Sequence, residues 1–335
     1  MKVGSLCTGI MGAEIAFSMM GLEPELVWYS EIDPHACALL AAKTDAPNLG
    51  DLKLINWAQV EPIDALVAGY PCQPFSTAGN RKGTDDPRHL WPWIAGALRV
   101  LRPRYAFFEN VSGHLSLGFD TVLCDLAEIG FDAEWTTLRA SDVGACHQRN
   151  RLFIVASDSD AQGLQRPQDR ASEAPTRRHG HAQSGIGVDR RDTSFGPYAP
   201  AVERWERVIG RPTPKPAIDG RLNPAFVEWM MGYPEGWTEG VSRTGQLKAL
   251  GNAIVPHQAA AAWGHLLGLN VFAEARGGSQ DSDLPMIPTP TAWLGRRPSQ
   301  SIGSADRWHD KARSRELSDF IAALVCGMLD GLVTP

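Results

Sequence analysis

The stretch Gly69-Tyr70-Pro71-Cys72-Gln73-Pro74-Phe75-Ser76 decides the fold and the chemistry predicted for this chain. The apolar run Ile63 to Ala68 precedes it and indicates a buried strand. Because glycine and proline then break the strand, Cys72 is predicted to lie on a rigid turn at the strand's carboxyl end. Open α/β sheets bind their ligands at that edge.

Cys72 is a candidate nucleophile. A lone cysteine is more often a buried small hydrophobic residue, but here the prolines restrict the loop and its neighbours are too polar for a core. An ordinary thiol, with a pKa of about 8.5, is only a few per cent thiolate at neutral pH. Attack on an electrophilic carbon therefore needs a partner that activates the thiol or its target.

A carboxylate at the end of a second short strand is the candidate partner. Tyr105 to Phe108 is predicted to be that strand, and Glu109-Asn110-Val111 follows it. A carboxylate directly after four mostly aromatic residues is not typical of a solvated surface. We expect Glu109 at the carboxyl edge of the sheet, beside Cys72.

Three motifs together resemble the DNA (cytosine-5)-methyltransferase family: the Pro-Cys-Gln turn, the Glu109-Asn110-Val111 strand end and the segment Gln148-Arg149-Asn150-Arg151. Their order and spacing are similar to the family's across most of residues 1 to 268. The resemblance is to the phage or bacterial type of this family, and it implies an α/β fold. This fold is a Rossmann-like S-adenosylmethionine-dependent methyltransferase domain with a mostly parallel sheet, joined to a small irregular target-recognition region.

The resemblance also implies a reaction, in which the methyl group of S-adenosylmethionine is transferred to carbon 5 of a cytosine in a specific DNA sequence. Cys72 would attack carbon 6 of the flipped-out base. Glu109 would donate or share a proton at N3 and hold the exocyclic amine. Arg151 would hold the cytosine O2, and Arg149 a phosphate or the closed loop. Asn150 stands where the family usually has Glu.

A glycine turn after the first strand indicates a ligand at a helix N-terminus. Glu31 follows the second strand, 19 residues after Gly12, near the distance at which such folds bind a ribose hydroxyl. Met11 stands where the family usually has glycine, so the turn is expected to be less open. By the resemblance, the S-adenosylmethionine site comprises Cys7, Thr8, Gly9, Gly12, Glu31, Ile32, Asp51, Pro71, Asn252 and Ala253.

The charge distribution predicts where double-stranded DNA binds. The net charge is −6, but residues 139–221 hold 14 Lys/Arg against 10 Asp/Glu, and Arg suits phosphates and guanine edges. Residues 157–200 are too poor in large apolar residues to bury much of a core. The predicted DNA contacts are Ser76, Gly79 and Arg81 in the segment after Cys72, and Arg166, Arg170, Arg177, Arg178, Arg190 and Arg191.

The chain divides into three predicted parts. Residues 1–156 and 250–270 form the catalytic S-adenosylmethionine-binding domain. Residues 157–249 form the target-recognition region, with 157–221 as its variable part. Residues 277–335 are a C-terminal extension without an assigned role, in which Leu317 to Leu329 resembles an amphipathic helix.

Local patterns predict most of the remaining elements. Asp33 and Asn223 are predicted helix N-caps, each followed by proline. The segment Gly251 to Pro256 is expected to begin a helix. The other predicted helices are Ala13–Met20, Arg88–Leu101 and Asp120–Ile129, and the other predicted strands are Val3–Cys7, Leu26–Ser30, Thr136–Leu138 and Arg151–Ala156.

Composition excludes several classes of protein. The chain has 335 residues and no apolar run near 18, which argues against a membrane span, and its start leaves no room for a signal peptide. Six scattered cysteines without a Cys-x-x-Cys pair argue against a metal site and a disulfide framework. We expect a monomer in the cytoplasm of a bacterium or a phage-infected host cell. A cognate restriction endonuclease is not deducible from these residues.

Three alternatives stay open at this point. An RNA cytosine-5 methyltransferase would keep the fold, and the basic insert argues mildly for DNA. A folate-dependent pyrimidine hydroxymethylase also uses a Pro-Cys nucleophile, but it would not need the glycine turn and Glu31. A catalytically dead DNA-binding relative is disfavoured by the intact Cys72, Glu109 and Arg151.

Overall fold

The fold is seen in a computed structural model that describes residues 1–71, 90–160, 193–269 and 271. These residues contain a six-stranded sheet in the order β2-β1-β3-β4-β6-β5. Strands β1 to β4 are parallel, and β6 is antiparallel to both of its neighbours. The prediction of an α/β fold with a mostly parallel sheet is therefore confirmed. The strands are β1 (Lys2–Leu6), β2 (Glu25–Ser30), β3 (Ala65–Ala68), β4 (Tyr105–Val111), β5 (Phe131–Arg139) and β6 (Asn150–Asp158).

Helices cover the sheet, and a short two-stranded ribbon accompanies it. The helices are α1 (Gly12–Met19), α2 (Pro34–Ala41), α3 (Trp91–Leu101), α4 (Phe119–Ile129), α5 (Ala199–Ile209), α6 (Pro224–Met230), α7 (Arg243–Asn252) and α8 (Pro256–Leu266). The ribbon pairs β7 (Ala217–Ile218) with β8 (Arg221–Leu222).

The strand order reverses beside β1. From β1 the chain moves outward to β2, returns to the opposite side of β1 as β3, and continues to β4. Ligands of open α/β sheets bind outside the carboxyl ends of the strands at such a reversal. The topology alone therefore predicts a crevice where β1 and β3 end.

The predicted helix caps are confirmed. The Asp33 side chain accepts hydrogen bonds from the backbone N–H groups of His35 and Ala36, which satisfies two donors of α2. Asn223 does the same for Ala225 at the start of α6, and Pro224 takes the first helical position.

One core covers the sheet face that α1 and α8 share. Trp263 of α8 is fully buried, and its ring centroid lies 5.5 Å from those of Phe17 and Phe107 and 5.8 Å from that of Phe153. Phe17 belongs to α1, whereas Phe107 and Phe153 belong to β4 and β6. The end of the described chain thus packs directly over its first helix.

A second core lies beyond the sheet and joins distant parts of the chain. Helices α5, α6 and α7 contribute Trp205, Trp229 and Leu250, which are all fully buried. Ile10 and Leu39, from the first 40 residues, belong to the same cluster. These helices therefore pack against the first 40 residues, while the three-part division of the chain stays a prediction.

Two sequence predictions about elements need correction. The helix predicted from segment 251–256 begins only at the last residue of that segment, Pro256, because Gly251 and Asn252 end α7. The backbone before Pro256 is extended, as the proline ring requires. Strand β5 is also longer than the predicted Thr136–Leu138. The prediction was too short because much of the strand is exposed, so its apolar pattern is weak.

Candidate active site

The turn between β1 and α1 keeps a left-handed geometry despite its methionine. Gly9 has a φ of 61°, and Met11 adopts φ 68° and ψ 30°, a region that favours glycine. A Cβ on Gly12 would stand 2.3 Å from the Tyr233 hydroxyl oxygen and 2.8 Å from the Ile254 carbonyl oxygen. Glycine is therefore required at position 12, while the effect of Met11 on how open the turn is stays a prediction.

Glu31 joins the ends of β1 and β2. Its Oε2 accepts a hydrogen bond from the Gly9 N–H at 2.8 Å, and its Oε1 accepts from the N–H groups of Ile32 and Asp33, also at 2.8 Å. Asn48 holds the Glu31 backbone from the other side through its amide oxygen and nitrogen. The carboxylate is thus fixed beside the glycine turn.

A pocket opens at the reversal of strand order. Residues from the carboxyl ends of β1 and β3, the glycine turn and the α7–α8 connection surround it. Its lining is Ser5, Leu6, Cys7, Thr8, Gly9, Ile10, Gly12, Ala13, Val67, Gly69, Asn252, Ala253 and Ile254. Six of the ten predicted cofactor residues therefore line one cavity.

The other four predicted cofactor residues lie outside that lining. Glu31 borders the pocket through its bond to Gly9, and Ile32 beside it is 69% exposed. Asp51 accepts a hydrogen bond from the Lys53 N–H at 3.0 Å. Pro71 is half-buried and directly follows Tyr70.

Two of the described cysteines are inert thiols. Burial, with the nearby carboxylates of Glu31 and Asp51, raises the pKa of Cys7 to about 12. Burial also raises the pKa of Cys146 to about 12. Both thiols therefore favour the protonated form at neutral pH.

Glu109 and Arg151 form an ion pair at the carboxyl end of β4. Arg151 Nε lies 3.0 Å from Glu109 Oε1, with 20% and 11% of the two side chains exposed. Glu109 Oε2 lies 4.0 Å from where a Cβ on Gly69 would stand. The carboxylate therefore faces Gly69, directly after β3, while its predicted place beside Cys72 lies outside the described residues.

Arg149 contacts the wall of the pocket. Its Nη2 donates a hydrogen bond to the Ala253 carbonyl at 2.6 Å, and its Nη1 donates to the Gly251 carbonyl at 3.4 Å. The Gln258 amide nitrogen in turn donates to the Arg149 carbonyl at 2.7 Å. The predicted role of Arg149 toward a phosphate or a closed loop stays a prediction, and the described contacts are with backbone carbonyls.

Several predicted residues lie outside the described residues. They are Cys72, Ser76, Gly79, Arg81, Arg166, Arg170, Arg177, Arg178, Arg190 and Arg191. The 277–335 extension also lies outside them.

Sequence reasoning missed the side chains that support the pocket from behind. The Tyr233 hydroxyl donates to the Ile254 carbonyl at 2.8 Å, and Trp237 Nε1 donates to the Ile10 carbonyl at 2.8 Å. Gln258 is fully buried and bonds the Leu138 carbonyl as well as Arg149. A glutamine among the alanines of α8 was the available signal, since a buried amide needs partners.

Other classes of site were sought in the same residues. Across 1–71, 90–160, 193–269 and 271, three or more His, Cys, Asp or Glu side chains do not gather in a group that could hold a metal ion. None of the helices described here is long and apolar enough to cross a membrane.

Comparison with known proteins identifies relatives. The family model for C-5 cytosine-specific DNA methylase matches residues 1–186. The chain is 28% identical to type II methyltransferase M.NaeI of Lentzea aerocolonigenes over 335 aligned residues, covering 84% of this chain and 79% of that protein. It is 35% identical to orphan methyltransferase M.Rho11sI of Bacillus phage rho11s over 169 residues, or 48% of this chain, and spans only 33% of that relative.

A solved structure shares the fold. The methyltransferase EhMeth of Entamoeba histolytica superposes with a TM-score of 0.54 at 16% identity, covering 82% of this chain and 98% of that chain. At this identity the likeness concerns architecture. It agrees with the mixed α/β sheet described above.

Proposed function

The chain belongs to the C-5 cytosine-specific DNA methylase family, and on that premise we propose that it transfers a methyl group from S-adenosylmethionine to carbon 5 of cytosine in a specific DNA sequence. The observation that carries the proposal is the Glu109–Arg151 pair. It stands beside the end of β3, where the chain continues to Cys72, and β3 also borders the pocket.

The pocket residues suit the cofactor. The glycine turn and the N-terminus of α1 present backbone N–H groups at the crevice, and Gly12 lacks the side chain that would push Tyr233 and Ile254 aside. S-adenosylmethionine supplies the methyl group when bound. Cys7, Thr8, Gly9, Asn252 and Ala253 would line its methionine end.

The ribose and adenine would lie beyond the glycine turn. Glu31 would accept a ribose hydroxyl, because a carboxylate offers about four acceptor positions and backbone N–H groups fill three of them. Exposed Ile32 would pack on the adenine ring, Asp51 would accept from its amino group, and Pro71 would border it.

The protein's part in the chemistry is to make a poor nucleophile electron-rich. The Cys72 thiolate adds to carbon 6 of the cytosine, and the electron pair moves toward carbon 5. Glu109 shares a proton with N3 and holds the exocyclic amine, so negative charge does not build up on the ring. Arg151 orients Glu109 and holds O2 of the base. After methylation, water takes the carbon 5 proton, the electron pair of that C–H bond restores the double bond between carbons 5 and 6, and the thiolate leaves carbon 6.

The DNA must present its base outside the duplex. Flipping the cytosine costs a few kcal/mol of unstacking, which contacts between the protein and the DNA must offset. Ser76, Gly79 and Arg81 would contact the DNA near the flipped base. Residues 157–249 would form the target-recognition region, and its arginines would divide into phosphate contacts, which fix position, and guanine contacts, which read sequence. We therefore expect a short recognition site that contains G and C.

Sequencing after bisulfite treatment of DNA exposed to the protein and S-adenosylmethionine tests the proposal. Wild-type protein should methylate cytosine at carbon 5 within one sequence context. Cys72→Ala should abolish the modification while leaving cofactor affinity within a few-fold. DNA that carries 5-fluorocytosine should trap the wild type covalently, because fluorine blocks the final elimination, and trapping of the Cys72→Ala variant would contradict the mechanism.

Two further arms of the same experiment address the alternatives. Modification of RNA in place of DNA would reassign the substrate. A requirement for a folate in place of S-adenosylmethionine would reassign the reaction. An alanine scan of Arg166, Arg170, Arg177, Arg178, Arg190 and Arg191, read by methylation sequencing, tests the recognition region.

A further inference from the structure

A buried hydrogen bond joins the segment after β3 to the segment after β4. Tyr70 lies two residues past the end of β3 and is 2% exposed, and His114 lies in the 3-10 turn Ser112–Ser116 that follows β4 and is fully buried. The Tyr70 hydroxyl oxygen and His114 Nε2 are 2.9 Å apart. His114 Nδ1 is 2.9 Å from the Leu117 carbonyl oxygen.

The direction of both bonds follows from their partners. A carbonyl oxygen only accepts, so His114 Nδ1 must carry a hydrogen. With that hydrogen on Nδ1, the uncharged ring offers Nε2 as an acceptor to which the Tyr70 hydroxyl can donate. Burial raises the pKa of Tyr70, so the hydroxyl keeps the proton that it donates.

Tyr70 is held by its backbone and its ring as well. The Asn110 amide nitrogen lies 3.4 Å from the Tyr70 carbonyl oxygen, and Asn110 directly follows Glu109. The Tyr70 ring packs against Trp91 and Phe108, with centroids 5.9 Å and 6.4 Å away. The two strand ends are thus tied by contacts that the parallel β3–β4 ladder does not supply.

We propose that Tyr70 and His114 are positioning residues whose hydrogen bond holds the chain leading to Cys72 in place relative to Glu109. This inference rests on the proposed function. Tyr70 precedes Cys72 by two residues, and His114 follows Glu109 by five. Nucleophile and acid must meet the same base, and a displacement of about 1 Å at a reacting group can cost about 100-fold in rate.

Tyr70→Phe isolates the hydroxyl, because phenylalanine keeps the ring packing. We expect the methyl-transfer rate at saturating DNA and cofactor to fall about 10-fold to 100-fold. We expect the KM for DNA and the cofactor affinity, measured by calorimetry, to be unchanged. Tyr105→Phe is the matched control, since it removes a tyrosine hydroxyl at the other end of β4, and it should keep the wild-type rate.

His114 variants test the partner. His114→Leu should lose rate as Tyr70→Phe does, and the double variant should lose less than the product of the two single losses, because both break one bond. His114→Gln keeps an amide that can donate to Leu117 and accept from Tyr70, so it should retain more rate than His114→Leu. If Tyr70→Phe does not fold, the comparison of His114→Gln with His114→Leu still tests whether the hydrogen bond supports the rate.

Three results would overturn the proposal. They are an unchanged rate in Tyr70→Phe, a loss of cofactor affinity that accounts for the slower reaction, and equal losses in His114→Gln and His114→Leu. Failure of the wild type to methylate cytosine would instead overturn the proposed function, so the two failures are distinguishable.

Discussion

Arg151 Nε lies 3.0 Å from Glu109 Oε1, and the two residues stand on antiparallel strands whose side chains are largely shielded from water. Strand pairing places Val111 opposite Arg151, so the long arginine side chain reaches back two residues along β4 to meet the carboxylate. A shielded carboxylate depends strongly on its partner, because little water is available to replace the ion pair.

Arg151→Met should therefore abolish methylation and lower the free energy of unfolding by about 3 kcal/mol. Urea denaturation measures the loss. The double variant Arg151→Met/Glu109→Gln should recover part of this stability, because it leaves no unpaired charge. Lys2→Met breaks the exposed Lys2–Glu61 pair and should cost less than about 1 kcal/mol. Equal losses in the two single variants would contradict the structural role given to the Arg151 pair.

Glu31→Ala should weaken cofactor binding roughly 10-fold to 150-fold, as expected for one charge-assisted hydrogen bond of about 1.5–3 kcal/mol. The single acceptor position left on Glu31 is the physical reason. Calorimetry with S-adenosylmethionine measures the change. Glu61→Ala, which removes an exposed carboxylate of the Lys2 pair, is the control. An unchanged cofactor affinity in Glu31→Ala would show that the ribose binds at another place.

Arg149→Met separates two roles for one arginine. Its bonds to the Gly251 and Ala253 carbonyls predict weaker cofactor binding, by about 10-fold, since they hold the wall that carries Asn252. A phosphate contact would instead weaken binding to all DNA alike and reduce the salt slope by about one. Calorimetry with cofactor and salt-dependent DNA titration distinguish these results, with exposed Arg99→Met as the control.

Two histidines, the buried His147 and the half-buried His257, predict acid sensitivity. Burial lowers the pKa of His147, with nearby Arg149 as a further cause, and it lowers that of His257; both fall from 6.5 to about 4. The unfolded chain therefore takes up protons below about pH 6.5 that the folded chain refuses until about pH 4. The stability from each neutral histidine is fully present above 6.5 and is lost as the pH falls toward 4.

Each histidine should then remove up to about 1.4 kcal/mol of unfolding free energy per pH unit in that window. Urea denaturation between about pH 7 and pH 5 measures the slope. His147→Gln, which can still donate to the Met230 carbonyl, and His257→Leu should each flatten the curve. A slope that neither variant changes would assign the acid sensitivity to other groups.

The sequence predicted those features whose cause is local. Asp33 and Asn223 cap helices because a short polar side chain followed by proline favours that position wherever it occurs. Glu109 was predicted at the carboxyl edge of the sheet, where it lies near the end of β4, because an apolar strand precedes it. Six predicted cofactor residues, from positions 7–12 and 252–253, line one pocket, and their contacts with a cofactor stay a prediction.

The features that were missed depend on tertiary contacts. No local pattern indicates that Arg149 bonds the carbonyls at the end of α7, or that Tyr70 meets His114 across 44 residues of sequence. The boundary at 251–256 was misjudged because glycine and asparagine typically flank helices, whereas here packing against α6 and α2 carries α7 through Asn252. The sequence pattern of β5 predicted only part of the strand, because hydrogen bonding to β6, rather than an apolar composition, keeps this partly exposed segment extended.

The contact between Trp263 and Phe17 sets the order in which the polypeptide can fold during synthesis. Roughly 250 residues separate the two rings, so at 5–20 residues per second a ribosome needs roughly 12 to 50 s to deliver the tryptophan after the phenylalanine. Until Trp263 is synthesised, the apolar surface formed by Phe17 and Phe107 is not covered by α8 and is available to chaperones. Asn252 and Ala253 emerge in the same late segment. Cofactor capture by stalled nascent chains should thus begin only once α8 has left the exit tunnel and docked.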